Sequence, residues 1–211
     1  MAQGAGQSIE SAYELFNLIK DENLDASNIY FKKRFERTTA VRRRSNFNFF
    51  AIEAEFDFII GQDLSPRSTP YTDKEIRDAV ESIHPAIEVP DSRYKNWLSV
   101  EAPELIADNA IAGVLVLGEK SLLPIDTDLV SATVEIRVNG QPVSSGLGAN
   151  VLGGPWNVLV WLVHHLNSRG LSLEAGHIVT TGSAAEVIHC QSGDFVECDF
   201  GNLGLVSLSF G

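Results

Sequence analysis

The sequence predicts an α+β domain built on mixed or antiparallel sheets. Three observations carry that expectation. After residue 50 the chain is rich in strand patterns with only two or three helices inserted, Asn139-Gly140 gives a two-residue hairpin signal, and no steady strand–helix alternation of a doubly wound fold occurs.

Each element has its own warrant. Residues 8–23 place Ile9, Ala12, Tyr13, Leu15, Phe16 and Ile19 at helical spacing behind Ser8, a plausible N-cap. Residues 24–48 follow neither period and carry the basic runs FKKRFER and VRRR. A strand is expected at 51–60 and a loop with Pro66 and Pro70 at 61–71. A helix capped by Thr72 is then expected to run to Ile83 and to end before Pro85, because the residue preceding proline is pushed out of the α region. A short strand at 86–89, a polar link at 90–109 and an apolar strand at 110–118 follow. Residues 130–138 alternate, turn at Asn139-Gly140 and return over 141–145. A buried helix is expected at 156–166, with Pro155 at its start and Gly170 beyond its end, and closing strands at 178–181, 195–200 and 203–210. The chain therefore divides into a helix and divergent segment over 1–48 and a main domain over 49–211.

Bulk properties narrow the function classes. The 211 residues carry a net charge of −12, unevenly placed: residues 1–44 hold 8 Lys/Arg against 6 Asp/Glu, and the remainder 8 against 22. An acidic body repels phosphate backbones, so no nucleic-acid partner is expected. Cys190 and Cys198 match no zinc spacing, and no apolar stretch approaches a membrane span. The expectation is a reduced, cytoplasmic protein without a membrane partner.

Three carboxylates stand in apolar frames: Glu53 and Glu55 in IEAEFDFIIG, and Glu88 in PAIEVPDSR. Residues two apart on a strand face the same side, so Glu53 and Glu55 aim together and repel unless a cation lies between them. Oxygen ligands of this kind suit Mg²⁺ or Mn²⁺. Asp57 shares that face, and a role in solubility or in a supporting hydrogen bond is expected of it. Asp108 is a candidate to cap or line a pocket. Thr181, Gly182 and Ser183 follow a buried strand and offer amides and hydroxyls for a substrate carboxylate. His164 and His165 read as packing residues. The glycines 146, 148, 153 and 154 lack the Lys-Ser/Thr end of a phosphate loop.

The runs IEAEFDFIIGQDL at 52–64, PAIEVPDSR at 85–93, ADNA at 107–110, Asn139-Gly140, SSGLGANVLGGPWN at 144–157, WLVHHL at 161–166 and AGHIVTTGS at 175–183 occur in an order that resembles the fumarylacetoacetate hydrolase superfamily. The nearest branch resembles the 2-oxopent-4-enoate hydratases and 2-oxo-3-hexenedioate decarboxylases. The resemblance covers roughly residues 50–211. It implies mixed sheets rolled around a pocket, a Mg²⁺ or Mn²⁺ ion on Glu53, Glu55 and Glu88, a 2-oxo acid or 2-hydroxydienoate enol as substrate, and a homo-oligomer. In that scheme the ion acts as a Lewis acid toward the enolate reached by loss of CO₂ or by ketonisation of a dienol. The metal site alone therefore leaves hydration and decarboxylation both open.

The chain departs from the family's Gly-x-Lys-x-Gly-Leu-Thr segment, which here reads YFKKRFERTTAVRRRSNFNFF at 30–50 without the glycines. Lys33 or Lys32 stands where the family lysine, a proton donor, is expected. His177 occupies a turn position where the family more often has aspartate. Two alternatives follow: a shortened, weakly active or inactive member serving as an oligomer subunit, or an acylpyruvate hydrolase. The latter needs a His-Glu pair in an N-terminal segment, and residues 1–50 contain no histidine.

Overall fold

The computed structural model describes residues 35–37, 40–42, 48 and 50–211, with the backbone alone for 35–37, 40–42 and 106. The expected helix at 8–23 and both Lys32 and Lys33 lie outside the described residues.

The chain order is β1 (Phe35–Arg37), β2 (Ala40–Arg42), β3 (Ala51–Ile60), α1 (Asp73–Asp78), β4 (Val80–Val89), α2 (Ala102–Ala107), β5 (Val114–Leu117), β6 (Thr133–Val138), β7 (Gln141–Leu147), α3 (Pro155–Ser168), β8 (Ile178–Val179), β9 (Ile188–His189), β10 (Phe195–Asp199) and β11 (Leu205–Phe210). Among the described residues one sheet runs β1-β5-β4-β3-β8, with β9 also on β3, and the other runs β2-β11-β10-β6-β7. The β1/β5 and β11/β2 pairs are parallel and the others antiparallel, so the sheets are mixed as expected. The expectation is met for β3, for the β6–β7 hairpin and for α3, which begins at Pro155 as expected. Asn139 and Gly140 take φ of 52° and 79°, the two positive values that a type I′ hairpin turn requires.

Strand β3 places the two faces of the first sheet. Ile52, Ala54, Phe56, Phe58 and Ile60 enter the main core against Val134, Ile136, Val196, Cys198, Val206, Leu208 and Phe210 of the second sheet. Phe56 meets Phe200 edge-on at 5.0 Å between ring centroids, and Phe58 meets Trp156 of α3 at 4.4 Å. The alternate residues Glu53, Glu55, Asp57 and Ile59 face the other way. They share that face with Glu88, Ala86, His84 and Ser82, their direct partners on β4. A second, small apolar cluster of Ala86, Leu115 and Leu117, flanked by Ile59 and Ile178, lies there too.

The helix expected over 72–83 is a correction. Thr72 does cap it: its hydroxyl accepts from the Glu75 amide, and Glu75 in return accepts from the Thr72 amide at 2.8 Å. The helix nevertheless ends at Asp78, and residues 80–89 form one ten-residue strand. From Ser82 to Ile87 that strand is buried on both faces, so it shows no alternation to separate it from a helix. Pro85 is accommodated inside it. Its carbonyl accepts from the Gly118 amide, which puts the missing N–H on the β5 side, just where β5 has ended at Leu117.

Three smaller differences follow from local chemistry. The strand expected over 110–118 shortens to Val114–Leu117, because Asn109, Ala110 and Ile111 form a left-handed turn with φ of 55°, 52° and 57°. The polar link at 90–109 contains α2. Strands β1 and β2 arise in the segment where no period was readable.

Candidate metal centre

Glu53 and Glu88 are direct cross-strand partners, and Glu55 lies two residues further along β3 opposite Ala86. One carboxylate oxygen from each of the three lies within 4.8 Å of the others. Two ligands each 2.0–2.6 Å from a single ion lie at most about 4–5 Å apart, so the spacing is that of one hard divalent cation. Small Ala86 opposite Glu55 leaves room between the three glutamate side chains.

The local fold fixes Glu55 most firmly. It is buried, and one of its oxygens, Oε2, accepts from the amides of Thr181 at 3.0 Å and Gly182 at 2.9 Å. Gly182 takes φ of 91°, a left-handed backbone that turns the second amide onto the same oxygen. The segment is itself anchored: the Thr181 hydroxyl donates to the Phe56 carbonyl, the Ala184 amide to the Ala54 carbonyl, and Asn150 Nδ2 to the Ala184 carbonyl. Gly146 of β7 lies so close that a Cβ there would sit 2.0 Å from the Ala184 oxygen. Gly146 therefore serves close packing behind the site.

Electrostatics give the donor set its meaning. Burial, and then the neighbouring Glu55, push the Glu53 carboxyl up to about 7. Burial raises Glu55 as well, against the opposing hydrogen bonds from Gly182, Glu88 and Thr181. Three carboxylates held together out of water are unfavourable as anions unless a cation or protons neutralise them. The residues present fit a divalent cation: all-oxygen donors, one shared focus, and one ligand locked by two backbone amides.

The remaining candidates separate clearly. Thr181 and Gly182 are brought to the centre, where their amides hold Glu55. Ser183 donates to the Ala185 carbonyl. The buried Asp108 carboxylate accepts from the Ser92 hydroxyl and from the Arg93 amide and guanidinium, so it clamps the loop that follows Glu88. His165 stacks on Trp161 at 4.7 Å, and His177 accepts from the Glu174 amide as a turn cap. Asp57 is a correction: it is fully buried, and neither of its oxygens has a hydrogen-bond partner among the described residues. Its burial excludes a role in solubility. The alternation placed it beside Glu55, but nothing in the sequence showed that this end of the face is covered.

Two sheets with packed helices, one sheet presenting three converging glutamates on the face opposite its core, define an α+β domain with an acidic candidate cation site. The chain belongs to the family of the fumarylacetoacetate (FAA) hydrolase C-terminal domain, whose pattern it matches over residues 9–209. It is 35% identical over 159 residues to a 2-keto-4-pentenoate hydratase of Paraburkholderia xenovorans, covering 75% of this chain and 58% of that protein. It is 32% identical over 158 residues to a 2-hydroxyhexa-2,4-dienoate hydratase of Comamonas testosteroni, covering 75% and 59%. The chain thus spans less than two thirds of the length of these relatives. Among solved structures it is similar to 4-oxalocrotonate decarboxylase from Pseudomonas putida G7 complexed with magnesium and adipate. The TM-score is 0.76 at 28% identity, over 85% of this chain and 67% of that one. The same decarboxylase complexed with calcium and acetate gives a TM-score of 0.73 at 27% identity, again over 85% and 67%. These relatives are of the hydratase and decarboxylase branch that the motifs resemble.

Proposed function

We propose that the protein is a Mg²⁺- or Mn²⁺-dependent lyase acting on a short 2-oxo acid or its 2-hydroxydienoate enol, by hydration or decarboxylation. The observation that carries this reading is the convergence of Glu53, Glu55 and Glu88 within 4.8 Å, with Glu55 buried and the other two half-buried. Relatives named as hydratases of 2-keto-4-pentenoate and 2-hydroxyhexa-2,4-dienoate, and a decarboxylase complexed with magnesium, support it.

The division of labour follows from the geometry. Glu53, Glu55 and Glu88 hold the cation, and the amides of Thr181 and Gly182 keep Glu55 aimed at it. A divalent cation in that position supplies Lewis-acid polarisation of a 2-oxo acid. Ala86, Leu115 and Leu117 form a buried apolar cluster on the same face, which keeps water from the carboxylates. Proton transfer is assigned to Lys33 or Lys32, on the resemblance of the segment 30–50 to the family's lysine segment.

The test is the ultraviolet absorbance of 2-hydroxypenta-2,4-dienoate mixed with the protein and Mn²⁺. Loss of the dienoate band that requires both protein and metal is expected. A band unchanged with protein and metal, together with no binding of oxalate, would contradict the reading.

A further inference from the structure

The Glu53–Glu88 rung is the last of the β3–β4 ladder, and strand ends are where backbone pairing frays most readily. Three stretches of chain meet just beyond it: Asn48 precedes β3, residues 91–93 follow β4, and residues 108–113 lead into β5. The Asn48 amide donates to the Asp91 carboxylate at 2.9 Å, and its side-chain amide donates to the Ser92 carbonyl at 2.6 Å. The Asp91 amide donates to the Ile111 carbonyl at 2.7 Å, which carries the β4–β5 pairing one step past Val89 and Val114. Gly113 packs so closely there that a Cβ would lie 2.0 Å from the Val89 carbonyl oxygen.

Asp108 is the hub of this junction. Its side chain is buried, and its carboxylate accepts from the Ser92 hydroxyl, from the Arg93 amide at 3.2 Å and from the Arg93 guanidinium at 3.0 Å. The Asp108 carbonyl accepts from the same guanidinium at 2.8 Å, and the Ser92 hydroxyl oxygen accepts from the Tyr94 amide at 3.1 Å. Directly after Asp108 the chain turns left-handed through Asn109, Ala110 and Ile111, with φ of 55°, 52° and 57°. Residues with a Cβ rarely adopt that backbone, and β-branched ones least of all. It persists only where the surroundings over-determine it, and such strain gathers at functional sites. Here the turn brings the Ile111 carbonyl onto the Asp91 amide, so β5 enters in register with Leu115 opposite Glu88.

We propose that Asp108 is a positioning residue of the cation centre: through Ser92, Arg93 and the left-handed turn it ties the ends of β3, β4 and β5 together and so keeps Glu53 and Glu88 opposed at the separation one divalent ion requires. The inference rests on the reading of Glu53, Glu55 and Glu88 as ligands. It differs from two simpler roles. A residue serving the fold alone would lower the melting temperature and leave the ion affinity unchanged well below melting, where nearly every molecule is folded. A residue that held substrate would weaken substrate binding and leave the ion affinity unchanged.

The experiment measures Mn²⁺ affinity by electron paramagnetic resonance of the free ion, well below every sample's melting temperature, and then oxalate affinity of the Mn²⁺-loaded protein. The samples are the wild-type chain, Asp108→Ala, Asp108→Asn, Thr72→Ala and Glu88→Ala. Asp108→Ala is expected to bind Mn²⁺ about 2–30-fold more weakly, the range for substitutions that act on a site without touching its ligand. Asp108→Asn keeps an oxygen that can accept from Ser92 and Arg93, and is expected to recover part of that loss. Thr72→Ala, which weakens a remote helix cap, is expected to keep the wild-type affinity. Wild-type Mn²⁺ affinity in Asp108→Ala, with binding abolished in Glu88→Ala, would overturn this inference and leave the ligand assignment standing; weakened oxalate binding alongside it would give Asp108 to the substrate. Should Asp108→Ala fail to fold, Asp108→Asn decides alone: weaker Mn²⁺ binding upholds the inference, and the wild-type value overturns it. A wild-type chain that binds no Mn²⁺ would overturn the ligand assignment and this inference with it.

Discussion

Glu53 on β3 and Glu88 on β4 face each other directly across an antiparallel ladder, the two acids most separated in sequence among the three that converge. Opposed side chains at such positions have Cβ atoms about 4.5–5.5 Å apart, and like charges there are destabilising. A cation reverses the sign of that contact. The ion-free and ion-bound proteins are therefore expected to differ in stability chiefly through this pair and Glu55 beside it.

The first prediction concerns pH. Glu53 titrates near 7 in the ion-free fold, against 4.5 ordinarily, because burial and then Glu55 disfavour its charge. For a raised carboxyl the folded state holds the proton longer than the unfolded chain. Its stabilising contribution is complete below about 4.5 and is lost as pH rises through about 7. Cation binding needs the ionised form, so apparent Mn²⁺ affinity rises over the same interval and binding releases protons. Titration calorimetry in two buffers of different ionisation enthalpy measures the release; Glu53→Gln should reduce it.

Close packing behind Glu55 is tested at Gly146. An alanine Cβ would meet the Ala184 carbonyl at 2.0 Å, so the segment bearing the Thr181 and Gly182 amides must shift. Gly146→Ala is expected to cost about 1–3 kcal/mol of stability in denaturant melts. It should also weaken Mn²⁺ binding, although the residue touches no ligand.

Helix α1 offers a control remote from the centre. Thr72→Ala removes one half of the capping box, with an expected loss of about 1 kcal/mol. The Glu75 carboxyl is held down to about 2 by the Thr72 amide, then by Arg67 and the Thr72 hydroxyl. Its contribution is present above the ordinary value of 4.5 and fades as pH falls toward 2. Thermal melts should show the Thr72→Ala deficit, while Mn²⁺ affinity stays at the wild-type level.

The proton-transfer role is tested by single substitutions at 32 and 33. One of Lys33→Ala and Lys32→Ala is expected to lower turnover of 2-hydroxypenta-2,4-dienoate by about 10²–10⁴-fold, the usual worth of a positioned acid or base, with Mn²⁺ affinity unchanged, and the other to retain most of the activity. Initial rates at saturating Mn²⁺ decide between them.

How far the sequence could be read depended on where a local period survived. Glu53 and Glu55 were legible as one face because β3 alternates, and the Asn139-Gly140 turn was legible because its two positive φ values demand those residues. The fold class and mixed sheets followed from such elements. Residues 80–89 were misread because a strand buried on both faces carries no alternation, and Pro85 reads as a helix end unless the end of β5 is known. Strands β1 and β2 are three residues each and owe their existence to pairing with β5 and β11, which no local pattern encodes. Asp57 was misread for a related reason: alternation gives the face of a side chain, whereas burial depends on what a distant segment lays over it.

The central claim is that Glu53, Glu55 and Glu88 form one cation centre. Its most direct test is a thermal-shift titration with Mn²⁺ and oxalate on the wild-type chain and Glu88→Ala. The wild-type chain is expected to melt at rising temperature with Mn²⁺, and higher again when oxalate is added, while Glu88→Ala shows neither rise. Equal stabilisation of Glu88→Ala and the wild type would contradict the assignment.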